Sequence, residues 1–148
     1  VSLEIDISTG DEITPKELTF EYISIFDNKK INIGAYNIES ILSEKIETIL
    51  RRGKYNTRMK DYYDVYFFLM KLKKDINIKI FKQALNNTLR KREAFDYYND
   101  YKQILDLIAE DDRITNYWNT YKKKNKYAEN IEFKDIVKIL KEFLDSIN

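Results

Sequence analysis

Residues 38–70 read IESILSEKIETILRRGKYNTRMKDYYDVYFFLM and hold two helical patterns separated by a short basic joint. In the first pattern, apolar residues recur at the spacing of one buried helix face: Ile38, Ile41, Leu42, Ile46 and Ile49. In the second pattern, the predicted buried stripe consists of Met59, Tyr62, Tyr63, Tyr66 and Met70. Gly53 follows Arg51 and Arg52 and is predicted to end the first helix, and Thr57 is predicted to cap the second. The stretch predicts a helix pair that organises the rest of the chain.

Three charged residues on this helix pair stand out. Lys45 occupies a position on the apolar face of the first helix, where an ammonium is costly unless it reaches water or an acidic partner. Asp61 and Asp64 lie one turn apart on the second helix, so both carboxylates can face the same side. Two interpretations stay open: structural ion pairs among these residues, Arg58 and Lys60, or a functional site.

The composition narrows the possible chemistry. The chain has 148 residues, enough for one domain with a core, and 43% of them are hydrophobic, which excludes general disorder. No apolar run is long enough to span a membrane. The absence of Cys and His excludes disulfides, zinc sites of the usual kinds and His-based triads, and it agrees with a reducing, cytoplasmic setting. The net charge of +1 gives no general preference for nucleic acid.

Strand patterns precede the helix pair. Residues 1–8 alternate apolar and polar side chains, and residues 18–26 predict a second strand with a bulge near residues 22–23. Residues 31–35 predict a third strand that returns as a hairpin. After residue 37 the patterns are helical, with further apolar stripes in residues 81–89, 97–108, 114–121 and 133–147. We therefore expect an α+β fold, with about three strands in residues 1–36 and a predominantly helical bundle in residues 37–148.

The run SEKIETILRRGKYNTRMKDYYDVY, residues 43–66, resembles the nucleotidyltransferase toxins of the abortive-infection AbiEii/AbiGii family. The family pattern is a helix with Glu-Lys, a basic joint with glycine, and then R-x-K-D-x-x-D-h-Y, where h is apolar. The chain supplies these residues in order: Glu44, Lys45, Arg51, Arg52, Gly53, Arg58, Lys60, Asp61, Asp64 and Tyr66. Residues 3–7, with Gly10, Asp11, Thr14 and Pro15 after them, resemble the late catalytic strand of the family and its following loop. The resemblance covers roughly the first half of the chain.

The resemblance implies that residues 1–36 are the end of a nucleotidyltransferase sheet. It also implies transfer of a nucleotide from an NTP to an acceptor, with Mg²⁺ as the cofactor and tRNA as the expected acceptor. Growth arrest or phage defence would follow, countered by a separately encoded antitoxin. The family builds its metal platform partly from a Gly-Ser turn and an Asp-x-Asp strand, which this chain lacks. Because the chain does not begin with Met, we expect it to be part of a longer protein and to be inactive alone.

Catalytic roles are expected for four residues by resemblance. Asp6 would hold metal, with Glu4 beside it as a second candidate. Lys45 would bind the triphosphate, Asp61 would support the metal or activate the attacking hydroxyl, and Asp64 would orient Lys45 or Arg58. The NTP-binding set implied by the motif is Lys45, Arg58 and Lys60.

Three basic clusters are candidates for contact with RNA, because cationic side chains bind phosphates and tyrosines stack on bases. The first is Arg51, Arg52 and Lys54, beside the expected site; the others are residues 90–92 and residues 122–126. Solvated helix ends are the alternative interpretation, and it is favoured for the last two clusters. The alternative function for the whole chain is a non-catalytic helical module that binds protein or RNA.

Overall fold

The structure is a computed structural model that describes residues 13–147. Within this range, two strands precede seven α-helices, which confirms the predicted α+β class. The elements are β1 (Leu18–Ile23), β2 (Lys30–Ala35), α1 (Ile38–Arg52), α2 (Met59–Lys71), α3 (Ile78–Lys91), α4 (Phe95–Asn99), α5 (Tyr101–Glu110), α6 (Asp112–Lys124) and α7 (Phe133–Ile147). The strand predicted for residues 1–8 lies outside the described residues, and the domain boundary after residue 36 stays a prediction.

The strands β1 and β2 form an antiparallel hairpin. Their pairing is continuous from Leu18 opposite Ala35 to Ile23 opposite Lys30, so the predicted bulge near residues 22–23 is wrong. The strand ends at Ile23 because the chain turns there, with the Ser24 amide donating to the Lys29 carbonyl at 2.9 Å. Alternation places the apolar side chains on one face of the hairpin: Leu18, Phe20, Tyr22, Ile31, Ile33 and Ala35.

The segment before the hairpin is attached to the helices through Thr14. The Thr14 amide donates to Ser40 Oγ at 2.9 Å, and Asn37 Nδ2 donates to the Thr14 carbonyl at 2.5 Å. On the other side, Asn87 Nδ2 of α3 donates to Thr14 Oγ1 at 3.0 Å. These bonds hold the start of the described chain against α1 and α3.

The ends of the central helices follow local chemistry. Asn37 caps α1, because its Oδ1 accepts from the Ser40 amide at 3.0 Å. Gly53 ends α1 as predicted, with a φ of 51° that suits glycine and an amide that donates to the Ile49 carbonyl. The prediction that Thr57 caps α2 is wrong. The buried Asn56 side chain instead accepts from the Arg58 amide at 3.0 Å, which forms the turn into α2.

The helices share one hydrophobic core, in which Tyr62, Phe81 and Trp118 are fully buried. The buried stripe of α2 differs from the prediction: it comprises Met59, Tyr62, Val65 and Leu69, together with Asp61. Tyr63 and Tyr66 are only half-buried, and Met70 is 51% exposed. Because α2 is apolar or aromatic around much of its surface, its rotation is decided by packing against α1 and α7. None of the helices in residues 13–147 is long and apolar enough to cross a membrane.

Candidate functional site

A cleft of about 650 Å³ runs along one side of α1. Its lining residues come from the end of β2, from α1, from the entrance to α2 and from the end of α3: Tyr36, Ile41, Glu44, Lys45, Thr48, Arg51, Arg52, Arg58, Asp61 and Arg92. The six α1 residues follow helical spacing, so they occupy one flank of that helix. The cleft therefore collects cations from segments that are distant in sequence.

Lys45 lies between the two aspartates of α2. Its Nζ is 3.0 Å from Asp61 Oδ1 and 2.7 Å from Asp64 Oδ2. The side chains of Lys45, Asp61 and Asp64 are 19%, 8% and 15% exposed, so the three charges are partly shielded from water. The ion pairs left open by the sequence are thus present, and they join α1 to α2.

Two more cations, Arg58 just before α2 and Lys60 in its first turn, extend this set of ion pairs. Arg58 Nε lies 3.3 Å from Asp61 Oδ2, and Lys60 Nζ lies 2.9 Å from Asp64 Oδ2. Charges therefore alternate from Arg58 through Asp61, Lys45 and Asp64 to Lys60. Of these two cations only Arg58 lines the cleft, and its side chain is 60% exposed. Lys45, Arg58 and Asp61 therefore line the cleft together, with two cations beside one carboxylate.

The charge state of Lys45 follows from these contacts. Burial lowers the pKa of Lys45, but the hydrogen bonds and charges of Asp64 and Asp61 outweigh burial and raise the pKa above its ordinary value of 10.5. Lys45 is consequently a cation at neutral pH and cannot serve as a general base there. It is suited to binding an anionic group.

A second charge cluster lies beneath the cleft. The carboxylate of Glu47 on α1 is 2.6 Å from Arg51 Nε and 2.5 Å from Arg92 Nη1, and the Glu47 side chain is 0% exposed. Sequence reasoning missed Glu47, although its i, i+4 spacing to Arg51 was a visible signal. It also assigned Arg92 to a basic helix end, whereas the packing of α1 against α3 brings Arg92 into the cleft.

The other predicted site residues are distributed as follows. Arg51 and Arg52 line the cleft, whereas Lys54 lies beyond the end of α1, with its ammonium 5.5 Å from the Tyr55 ring centroid. Lys60 pairs with Asp64 and does not line the cleft. Glu4 and Asp6 lie outside the described residues. The structure therefore brings Lys45, Arg58 and Asp61 together in one cleft, with Asp64 beside them.

The residues of this cleft do not by themselves fit a magnesium site. Over residues 13–147, no group of three or more acidic, His or Cys side chains is placed to hold a metal ion. Both candidate carboxylates, Asp61 and Asp64, are already bound by cations. The lining holds five cationic residues and two acidic ones, a balance suited to an anionic ligand such as a phosphate group.

Comparison with known proteins agrees with the motif in residues 43–66. The family model of the nucleotidyl transferase AbiEii toxin, from type IV toxin–antitoxin (TA) systems, matches residues 1–139 of this chain. No curated protein and no solved structure matches this chain. Because the match extends over most of the chain, the protein belongs to the AbiEii nucleotidyltransferase toxin family. Membership implies an NTP substrate and a divalent metal in general, and a separate antitoxin as partner.

Proposed function

We propose that the cleft along α1 is the NTP-binding part of a nucleotidyltransferase toxin. The observation that carries the proposal is the position of Lys45, a cation held between Asp61 and Asp64 in the wall of a basic cleft. Lys45, Asp61 and Asp64 also belong to the sequence motif shared with the family. A lysine in this position can exchange a carboxylate for a phosphate, because both are anionic oxygen acceptors.

The cleft has two unlike ends. Tyr36 and Ile41 lie toward the start of α1, and Arg51 and Arg52 lie at its last turn. At a helical rise of about 1.5 Å per residue, Ile41 and Arg52 are roughly 16 Å apart along the axis, with Lys45 between them. The apolar end is suited to a base and the basic end to phosphates. The cleft thus favours one orientation of an extended nucleotide, with its base near Tyr36 and Ile41 and its phosphates toward Arg51 and Arg52.

Each charged residue has a proposed role in this arrangement. Lys45 and Arg58 bind phosphate oxygens, and Lys60 neutralises Asp64 when Lys45 turns toward the ligand. Asp61, released from Lys45, accepts a proton from the attacking hydroxyl; it would support a metal only together with carboxylates outside this cleft, such as the predicted Asp6. Asp6, with Glu4 beside it, remains the predicted metal-holding pair, and Mg²⁺ the predicted cofactor. Phosphoryl chemistry of this kind depends mainly on positioning and on neutralising charge.

The acceptor and the biological setting complete the proposal. We expect a tRNA acceptor in the cytoplasm, contacted through its phosphates by Arg51, Arg52 and Lys54, and a role in phage abortive infection that the antitoxin restrains. Support comes from the family match and from the exposed guanidinium of Arg52, which forms no ion pair with another described residue. The alternative is a non-catalytic binding module, favoured by the fact that Lys45 already has two carboxylate partners.

The test is a transfer assay on the protein expressed from the complete reading frame that contains this chain. The protein is incubated with total tRNA, Mg²⁺ and each α-labelled NTP in turn, alongside Lys45→Ala and Asp61→Ala. Lys82→Ala, which changes an exposed lysine on α3, is the matched control. We expect label in RNA with the wild type and the control only. A folded wild type that labels no RNA or protein with any NTP would refute the enzyme and leave the binding module.

A further inference from the structure

Four aromatic side chains form a continuous strip between α2 and the end of α6. They are Tyr63 and Phe67 on α2, Tyr121 on α6 and Tyr127 in the turn that follows, and we call them the aromatic strip. The ring centroids of Tyr63 and Tyr127 are 4.6 Å apart, and those of Tyr121 and Tyr127 are 6.3 Å apart. Tyr63 also stacks on Phe67 at 6.3 Å. Two helices thus share one aromatic surface.

Two of the four rings are exposed, Tyr63 and Tyr121 are half-buried, and lysines lie next to the strip in the sequence. Tyr127 is 56% exposed, and Phe67 is exposed as well. On α6, Tyr121 and Lys124 are three residues apart and share a flank of the helix, while Lys126 directly precedes Tyr127. Lys124 and Lys126 are exposed and form no ion pair with another described residue. Exposed lysines without an acidic partner among the described residues therefore lie close in sequence to Tyr121 and Tyr127.

The core holds the strip rigidly. Trp118, which is fully buried, stacks on Tyr121 with ring centroids 5.3 Å apart and an interplanar angle of 24°. Its indole Nε1 donates to the Ile131 carbonyl at 2.9 Å, which fixes the ring. The hydroxyls of Tyr121 and Tyr127 are hydrogen-bonded at 2.8 Å. Rings that are already ordered lose little conformational entropy when they bind a ligand.

The strip begins where the candidate site ends. Tyr63 directly precedes Asp64 on α2, and Asp64 binds Lys45 at 2.7 Å. Burial raises the pKa of the Tyr121 hydroxyl, and the neighbouring Tyr127 hydroxyl and Asp64 carboxylate raise it further. The strip therefore adjoins Asp64, whose partner Lys45 lines the cleft.

We infer that the aromatic strip binds single-stranded nucleic acid, with bases stacked on the two exposed rings, Tyr127 and Phe67, and phosphates bound by Lys124 and Lys126. Stacking on tyrosine tolerates every base, and neighbouring lysines follow the backbone, which is the usual composition of a surface for single strands. A duplex hides its base faces and would bind less well. The inference rests on the proposed function, because it assigns the strip to the acceptor strand beside the nucleotide cleft.

The experiment measures binding of a fluorescently labelled single-stranded RNA, about a dozen nucleotides long, by anisotropy. Tyr127→Ala should weaken binding about tenfold, and Tyr127→Phe, which keeps the ring, should bind within about twofold of the wild type. Lys124→Glu should weaken binding and reduce its dependence on salt. The matched controls are Tyr97→Ala on α4 and Lys82→Glu on α3, both exposed and away from the strip in sequence; they should bind like the wild type.

Four results would overturn the inference, and three of them concern RNA alone: no RNA binding by the wild type, equal losses in Tyr127→Ala and Tyr97→Ala, or tighter binding of a duplex than of the single strand. A Tyr127→Ala variant that loses the antitoxin but keeps RNA would assign the strip to protein recognition instead. If Tyr127→Ala does not fold, Lys124→Glu against Lys82→Glu decides the question. NTP binding is titrated separately on the same samples. A wild-type protein that binds RNA but not NTP would refute the proposed function and would leave the inference about the aromatic strip standing.

Discussion

Two charge clusters on α1 are built from the same kinds of group and differ in access. In the acid-centred cluster, Glu47 is enclosed by Arg51 and Arg92 and its side chain is 0% exposed. In the lysine-centred cluster, Lys45 lies between Asp61 and Asp64 and is 19% exposed. The first ties α1 to α3 from beneath the cleft, and the second ties α1 to α2 in the cleft wall.

The difference separates a structural ion cluster from one that can exchange partners. A carboxylate without access to solvent depends entirely on its two cations, so Glu47 itself cannot contact a ligand, although its partners Arg51 and Arg92 line the cleft. The lysine-centred cluster faces a cleft, and each of its aspartates keeps another cation, Arg58 or Lys60, if Lys45 moves away. Ion-pair geometry alone therefore does not identify a site, whereas an ion cluster whose central charge lines an open cleft, as Lys45 does, suggests one.

The largest loss of stability is expected from a substitution in the acid-centred cluster. Glu47→Ala should lower the free energy of unfolding by about 3 kcal/mol, because it removes two charged hydrogen bonds and leaves a cavity under the cleft. Urea denaturation monitored by circular dichroism measures the change. The control is Glu142→Ala on α7, which alters an exposed acid whose partner Lys138 is 4.0 Å away, and should change stability by less than about 0.5 kcal/mol. Similar losses in both variants would contradict a structural role for Glu47.

Substitution in the lysine-centred cluster should lower the free energy of unfolding by less than Glu47→Ala does. Lys45→Met keeps the volume of the side chain and removes the charge, and we expect a loss of about 1 kcal/mol, because Arg58 and Lys60 still neutralise the two aspartates. The same denaturation experiment applies, with Lys82→Met as the matched control. A loss equal to that of Glu47→Ala would mean that the two clusters do not differ as described.

The raised pKa of Lys45 gives this contribution a pH dependence. A lysine whose pKa is higher in the folded state stabilises the fold fully below its ordinary value of 10.5, and the contribution disappears as the pH rises through the folded value. The stability difference between wild type and Lys45→Met should thus be constant from about pH 7 to about pH 10 and shrink above that. A difference that already declines near pH 8 would show that burial dominates and lowers the pKa.

The smallest losses of stability are expected when one of the two aspartates is replaced alone. Asp61→Asn and Asp64→Asn should each cost about 0.5 kcal/mol, since Lys45 keeps one carboxylate in either variant. The double variant should lose more than the sum of the two, because Lys45 is then left without an acid, and a double-mutant cycle measures the excess. If the stability losses of the two single variants simply add, Lys45 interacts with only one of the two aspartates.

Local patterns in the sequence predicted much of the fold. The end of α1 at Gly53 follows from glycine's tolerance of a positive φ, and the position of Lys45 on an apolar face predicted that it would need a partner. The rotation of α2 was not predictable, because Tyr63, Tyr66 and Met70 were as apolar as the residues that are buried. Only packing against neighbouring helices selects Val65 and Leu69.

The candidate site was predictable where its residues are close in sequence. Lys45, Arg58 and Asp61 belong to one motif and meet in the cleft. Arg92 joins them through contact between α1 and α3, which no spacing within the chain reveals. The aromatic strip has the same origin, because Tyr63 and Tyr127 are 64 positions apart and meet only through the fold.

The most direct test of the account is calorimetric titration of NTP with Mg²⁺, without an acceptor, into the protein expressed from the complete reading frame, as wild type, Lys45→Met and Lys82→Met. The account predicts that wild type and Lys82→Met bind with equal affinity, and that Lys45→Met binds at least about tenfold more weakly while remaining folded. Equal NTP affinity in all three proteins, or no binding by a folded wild type, would contradict the assignment of the cleft to nucleotide binding.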